Sequence, residues 1–190
     1  MKNFRTITMS FLVMAFTLGT AMQAQQMKEK TKMVGGAEMY PSKNIVENAA
    51  KSKDHTTLVA AVTAADLAGV LRSEGPFTVF APTNAAFSKL PAGTVETLLK
   101  EENKTMLQGI LTYHVIAGNF KAADVVAAIN KGNGTATFKT VNGGELKAML
   151  DGDKVKIQDA AGNVATVTVA DVAQSNGVIH VLDTVLLPGS

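Results

Sequence analysis

The chain contains no cysteine among its 190 residues. This absence excludes disulfides, thiol chemistry, thiolate metal sites and a lipid anchor attached through cysteine. Tryptophan is also absent, and aromatic residues make up only 5% of the chain, whereas hydrophobic residues make up 46%. Aliphatic side chains and alanine must therefore fill most of the core, and stability must come from that core rather than from cross-links.

An excess of charge of one sign is missing as well. The chain holds 18 Lys and Arg residues and 16 Asp and Glu residues, a formal net charge of +2. Lys2 and Arg5 are the only charged residues in positions 1–24, so the remainder balances at 18 − 2 = 16 bases against 16 acids. Nucleic-acid binding needs a clustered basic surface, and we expect none here.

The N-terminus has the pattern of a secretory signal peptide. Lys2 and Arg5 precede an apolar run from Met9 to Leu18, and small residues follow. We predict a signal peptide over residues 1–24, with cleavage after Ala21 or after Ala24. The alternative is a membrane anchor, but a run of roughly ten apolar residues is short of the about 20 needed to span a bilayer. The protein is therefore expected to be secreted or periplasmic, with no transmembrane segment after cleavage.

The remaining chain divides into a leader and one domain. Residues 25–38 are polar and Lys-rich and contain Gly35-Gly36, so we expect a flexible leader. In the domain, residues 39–188, helical periodicity dominates the first half, with Ser42 as the expected cap of the first helix. From Thr135 onward residues alternate with period two, and Asp151-Gly152 indicates a hairpin turn. The predicted class is α+β with segregated elements.

The stretch from Gly75 to Phe87 organises the domain. Residues 77–81 predict a short buried strand, and Pro82 ends it because proline has no N–H to donate. Thr83 or Asn84 then caps a short helix that carries Phe87. The three phenylalanines of this stretch predict a core around it.

Three segments together resemble the fasciclin (FAS1) family: FAPTNAAF at residues 80–87, the Tyr113-His114 pair, and NGVIHVLDTVLLP at residues 176–188. The resemblance implies a FAS1 fold, a β-wedge or sandwich of about seven strands with N-terminal and peripheral helices. It also implies an extracytoplasmic adhesion or ligand-binding role without a cofactor. The structural residues of these motifs are Phe80, Pro82, Thr83, Asn84, Phe87, Gly177, His180 and Asp183.

The resemblance names two candidate contact sites. In the family, the pair at Tyr113 and His114 is linked both to core integrity and to cell adhesion, so a packed pair and a contact surface both remain open. Some members carry an Asp-Ile pair before the second signature that is linked to integrin binding, and Asp171-Val172 occupies that position. The alternative is that Asp171 caps a turn and Val172 belongs to the core.

Catalytic and metal sites have little support. His55, His114 and His180 lie too far apart for a local ligand pattern, so no metal is expected. We expect His55 to be exposed and His180 to be structural, bonded to Asp183 or to a turn. Ser175, His180 and Asp183 supply the residue types of a hydrolytic triad, but Ser175 is not in a Gly-x-Ser-x-Gly elbow. Glu101-Glu102 is expected to be a solvated loop rather than a carboxylate pair for glycoside chemistry.

Two hypotheses about function follow. The first is a secreted FAS1 domain, a monomer or weak homo-oligomer, that adheres to a cell-surface or matrix protein or glycan without catalysis. The alternative is a carrier of a small apolar ligand, such as a lipid or pigment, which requires an exposed apolar pocket beside the sheet. Asn103 and Asn133 begin glycosylation sequons, which we expect to be unused in a bacterial host.

Overall fold

The structure, a computed structural model, describes residues 30–189. The predicted signal peptide at residues 1–24 lies outside the described residues. Within them, no helix combines the length and the apolar character that crossing a membrane requires.

Short helices dominate the first half of the described chain, and strands dominate the second. The helices are α1 Ile45–Ala49, α2 Thr56–Ala64, α3 Ala68–Arg72, α4 Asn84–Phe87, α5 Thr94–Leu98, α6 Lys104–Tyr113 and α7 Ala122–Lys131, with 3₁₀ turns at Lys53–His55 and Glu101–Asn103. The strands are β1 Lys32–Val34, β2 Ala37–Met39, β3 Phe77–Pro82, β4 Val115–Ala117, β5 Thr135–Lys139, β6 Glu145–Asp151, β7 Lys154–Gln158, β8 Val164–Gln174 and β9 Gly177–Leu182. This order confirms the predicted α+β class.

A seven-stranded sheet with the order β4-β3-β9-β8-β7-β6-β5 forms the framework. Strands β5 to β8 form an antiparallel meander in the region where period-two alternation was predicted, and β6 and β7 form the hairpin that Asp151-Gly152 indicated. Strand β3 pairs in parallel with β9, from Phe77 opposite Gly177 to Pro82 opposite Leu182. The sheet curls, and the Val141 N–H, just beyond β5, donates to the Val115 carbonyl in β4 at 2.8 Å. The two edges of the sheet are thereby brought together.

The two faces of β3 and β9 belong to two hydrophobic cores. Val79 and Ala81 of β3, with Ile179 of β9, pack under the helical layer of α1 to α6. Phe80 and Leu182 lie on the opposite face, in the core that α7 and the inner face of the meander complete. Because successive residues of a strand point to opposite faces, this one strand pair holds both cores together.

The end of the predicted flexible leader is ordered, which corrects the prediction for residues 32–38. Strands β1 and β2 form a hairpin, and Val34 and Met39 are buried in the core. Gly35 and Gly36 make its tight turn, with φ of +57° and +74°, so these glycines serve a turn rather than a linker. A Cβ on Gly35 would lie 2.3 Å from Ser52 Oγ, which shows how closely the turn covers the next segment.

Two further local predictions needed correction. The cap of α1 is Asn44 rather than Ser42: Asn44 Oδ1 accepts the Glu47 N–H at 2.9 Å, and the Glu47 side chain accepts the Asn44 N–H in return. The alternating pattern that begins at Val164 stops at Val169, but the strand continues to Gln174 as β8. Its pairing with β9 shifts register on both sides of Val169, so a bulge hides the continuing strand from the period-two pattern.

Candidate functional site

The first FAS1-like motif joins β3 to the helical layer through its polar side chains. Thr83 caps α4, since its Oγ accepts the Ala86 N–H at 3.2 Å. The Asn84 side chain reaches out of its own helix instead: Oδ1 accepts the Thr57 N–H at 3.0 Å, and Nδ2 donates to the Lys53 carbonyl at 2.8 Å. Of the two predicted caps, Thr83 is therefore the one used, and Asn84 ties the motif to the start of α2.

The second motif begins with Asn176, which is buried and was not among the predicted structural residues. Its Oδ1 accepts the Ile45 N–H at 3.1 Å, and its Nδ2 donates to the carbonyls of Leu71 at 2.8 Å and Ser73 at 2.9 Å. The amide thus satisfies the N-terminus of α1 and the C-terminus of α3 together, groups that neither helix can satisfy internally. Asn176 fixes the two helices against the start of β9.

Gly177 follows because nothing larger fits beside β3. A Cβ at this position would lie 1.9 Å from the Phe77 carbonyl oxygen. The close approach of the two backbones explains the glycine physically.

Tyr113 is fully buried at the end of α6, in the meander core. Its hydroxyl donates to the Glu145 carbonyl at 2.7 Å and accepts the Ala160 N–H at 2.9 Å. Burial raises the pKa of this phenol above its ordinary value of 10.0, so it stays a neutral donor. Tyr113 therefore joins β6 to the loop after β7, and its ring lies away from the surface that a partner would meet.

His114 is also buried, and its two ring nitrogens have fixed roles. Nε2 accepts the Leu186 N–H at 3.0 Å, so Nδ1 carries the proton and donates to the Ile110 carbonyl at 2.8 Å. Burial lowers the pKa of His114 from 6.5 to about 4, with the Ile110 carbonyl opposing that shift in part. The neutral ring ties the C-terminal segment to α6, which favours the structural role over a contact surface.

Asp171 and Val172 lie at the bulge of β8. Asp171 has a left-handed φ of +56°, and its Oδ1 accepts the Ala122 N–H at 2.7 Å, at the N-terminus of α7. A carboxylate is well placed there, because the start of a helix carries free N–H groups and a partial positive charge. Val172 is completely buried in the first core. The geometry matches the cap-and-core alternative.

His180 is structural, as predicted, and of its two expected partners it uses a backbone group next to a turn rather than Asp183. Its Nε2 donates to the Phe120 carbonyl at 2.8 Å, and its Nδ1 accepts the Asp171 N–H at 3.4 Å. Its ring lies 5.7 Å from that of Phe80, the residue opposite it in β3. Burial lowers the pKa of His180, so this ring is neutral as well. The predicted bond to Asp183 is wrong, since Asp183 Oδ1 accepts the Thr166 N–H at 2.8 Å.

His55 is buried rather than exposed, which corrects the prediction. The 3₁₀ turn at Lys53–His55 directs the ring inward, where Nδ1 lies 2.9 Å from Ser52 Oγ. Its Nε2 is the only buried side-chain N or O atom in residues 30–189 without a hydrogen-bond partner. Burial lowers the pKa of His55.

The residue types of a triad are not assembled. The ring nitrogens of His180 bond to backbone groups rather than to Ser175 or Asp183, and Ser175 is exposed in the turn before β9. Glu101 and Glu102 are exposed in a 3₁₀ turn, and Glu101 pairs with Lys104 at 3.4 Å. In the described part of the chain, no group of three or more His, Asp and Glu side chains is placed to hold a metal ion.

An apolar cavity lies between the helical layer and the sheet. Its volume is about 60 Å³, and its walls come from α1, α2, α3, α6, β3, β4 and β9. Val70 and Val141 line it while remaining 53% and 47% exposed, so they mark its opening to solvent.

Comparison with known proteins identifies the family to which this chain belongs. A family model for the fasciclin domain matches residues 53–188. The chain is 46% identical over 193 residues to the protein sll1483 of Synechocystis sp., and the match covers 99% of each chain. It is 38% identical over 145 residues to the immunogenic protein MPB70 of Mycobacterium bovis, covering 74% of this chain and 66% of that protein. Human periostin is 31% identical over 137 residues, which are 72% of this chain and 15% of periostin.

The chain therefore belongs to the fasciclin (FAS1) domain family. Its fold is similar to that of the FAS1 domains in a solved domain pair from the insect cell adhesion molecule fasciclin I, with a TM-score of 0.68 and 18% identity. That match covers 78% of this chain and 52% of the other chain. The predicted family and the predicted FAS1 fold are both confirmed.

Proposed function

We propose that this protein is an exported adhesion module that binds a cell-surface or matrix protein or glycan without catalysis. Membership of the FAS1 family supports the proposal, as does a fold shared with a domain pair from a cell adhesion molecule. The predicted signal peptide supports a secreted or periplasmic location, where such a partner is available.

The observation that carries the proposal is that the polar groups of the family motifs bond within the domain. The Tyr113 hydroxyl, the His114 ring and the Asn176 amide each join two segments of the chain. Groups used in this way are not free to activate a nucleophile or to transfer a proton to a substrate. The motifs build a scaffold, and binding is left to its exposed surface.

Attachment of the host's own cells to surfaces coated with the purified mature protein tests the proposal. We expect cells to withstand higher shear on this coating than on serum albumin, and excess soluble protein to release them. Equal retention on both coatings, or no competition by the soluble protein, would contradict an adhesion role.

The Asp171 site is tested in the same assay. Asp171→Asn keeps an oxygen that can accept the Ala122 N–H but removes the charge. If Asp171 is only a cap, this variant keeps both stability and cell attachment. A variant with unchanged stability and lost attachment would instead make Asp171 a contact residue.

A further inference from the structure

The polar side chains that line the apolar cavity use their hydrogen-bond donors on backbone carbonyls of the protein. Those side chains are Thr63, Thr112 and His114. Thr63 Oγ1 donates to the Val59 carbonyl at 2.8 Å, and Thr112 Oγ1 donates to the Gln108 carbonyl at 2.6 Å. Both ring nitrogens of His114 are bonded to backbone groups. A water molecule needs two to four polar partners to be held in a protein interior, so the cavity suits hydrocarbon better than water.

The size of the cavity limits what part of a molecule can enter. A cavity must offer about 10–15 Å³ to hold one water-sized group. The volume of this cavity is about 60 Å³. It therefore accommodates about four to six methylene-sized groups. That is the end of an aliphatic chain rather than a whole lipid.

The opening is apolar as well. Val70 lies in α3 and is 53% exposed. Val141 lies just beyond β5, bonded to β4, and is 47% exposed. Exposed valines at the mouth of a dry cavity extend its apolar wall to the solvent boundary. A chain that enters there buries its end and leaves its other end in water.

We propose that this cavity binds about four to six terminal carbons of a single-chain amphiphile that is free in solution. The polar end of the amphiphile stays in water between Val70 and Val141. This ligand site goes beyond the proposed adhesion function, which needs only the outer surface. It corresponds to the apolar-ligand hypothesis drawn from the sequence, with the site and the chemical class now specified.

A series of straight-chain primary alcohols from butanol to decanol tests the proposal, with methyl NMR on the full mature protein. We expect shifts at the methyl groups of Val62, Val79 and Ile179, which line the cavity. The dissociation constant should fall about fourfold per added carbon, which corresponds to about 0.8 kcal/mol per buried methylene. The gain should level off at roughly six carbons, because later carbons stay outside.

A matched pair of variants on α2 locates the site. Val59 lines the cavity, whereas its neighbour Ala60 is exposed and does not. Val59→Phe fills the cavity and should abolish the alcohol-induced shifts, and Ala60→Phe adds the same ring outside and should leave them unchanged. Ala49→Leu, which fills the cavity from α1, serves if Val59→Phe does not fold.

Several results would overturn the proposal. These are an absence of shifts in the wild-type protein, shifts away from the cavity methyls, or a dissociation constant that does not depend on chain length. Equal binding of the alcohols by Val59→Phe and by Ala60→Phe would also contradict the proposal. Flotation with phosphatidylcholine vesicles, without binding of free alcohols, would replace the free amphiphile with a membrane surface.

Discussion

Acidification tests the role of His114 most directly. Protonation of its Nε2 would place a second N–H against the Leu186 N–H, which now donates to that nitrogen at 3.0 Å. The charged ring would also be confined to a fully buried site, and burial already lowers its pKa from 6.5 to about 4. The folded state therefore binds this proton more weakly than the unfolded state does.

The sign and size of the effect follow from the two pKa values. Stability from this group is fully present above pH 6.5, the unfolded value, and is lost as the pH falls towards about 4, the folded value. One pKa unit corresponds to about 1.4 kcal/mol, so lowering the pH from about 7.5 to about 4.5 should remove about 2–3 kcal/mol of unfolding free energy through His114 alone. His55 and His180 are also buried and shift stability in the same direction.

Urea unfolding of the wild type and of His114→Asn at both pH values isolates this contribution. The variant retains His55, His180 and all carboxylates, so their titration cancels in the comparison. We expect the variant to be less stable at neutral pH but to lose about 2–3 kcal/mol less on acidification. If both proteins lose the same free energy between the two pH values, the argument from burial and tautomer is refuted.

Three substitutions test the framework. Phe80→Ala empties the centre of the meander core and should cost ~3–5 kcal/mol in urea unfolding, and a loss below ~1 kcal/mol would contradict the central position of β3. Asp171→Ala should cost ~0.5–2 kcal/mol in thermal unfolding through the lost cap of α7, with Asp171→Asn close to wild type, and equal losses would argue against capping. Asn176→Ala leaves buried groups of α1 and α3 unpaired and should cost ~2–5 kcal/mol, whereas Asn130→Ala on the exposed side of α7 should change little. Similar values for the two asparagines would contradict the role assigned to Asn176.

Local patterns were sufficient for the elements whose apolar residues follow one period. Ala136 and Phe138 of β5 alternate with exposed residues, and both are buried as the period-two pattern predicts. The strand at residues 77–81 is predicted by its apolar residues and by the proline and capping residue that follow, and β3 extends one residue further, to Pro82, which pairs with Leu182. Two of the three family segments form the paired strands β3 and β9. The third contacts both of them, because the His114 carbonyl accepts the Phe80 N–H at 2.9 Å and the His114 ring accepts the Leu186 N–H at 3.0 Å.

Buried polar residues escaped prediction because their partners are distant in the sequence. Asn176 bonds to groups more than 100 positions away, and a buried amide resembles a surface residue in any local pattern. Asn48 is similar, with its amide bonded to Tyr40 and to Gln174. His55 differs, because its partner Ser52 is close in the sequence; the 3₁₀ turn at Lys53–His55 directs the ring inward, which the polar pattern of this segment does not indicate. The apolar cavity could not be predicted either, since it depends on how four helices pack over a sheet rather than on any one segment.

The parallel pairing of β3 with β9 has a consequence for the order of folding. Phe80 lies opposite His180, a separation of 180 − 80 = 100 positions, so the chain must close a very long loop before its central strand gains this neighbour. Contacts of such long range slow folding, because the entropy of loop closure is lost before the contacts form. A chain synthesised from its N-terminus cannot complete either core until nearly its last residue is available. Late completion of both cores is compatible with the export proposed above, because a chain that has not yet folded can pass through a membrane pore.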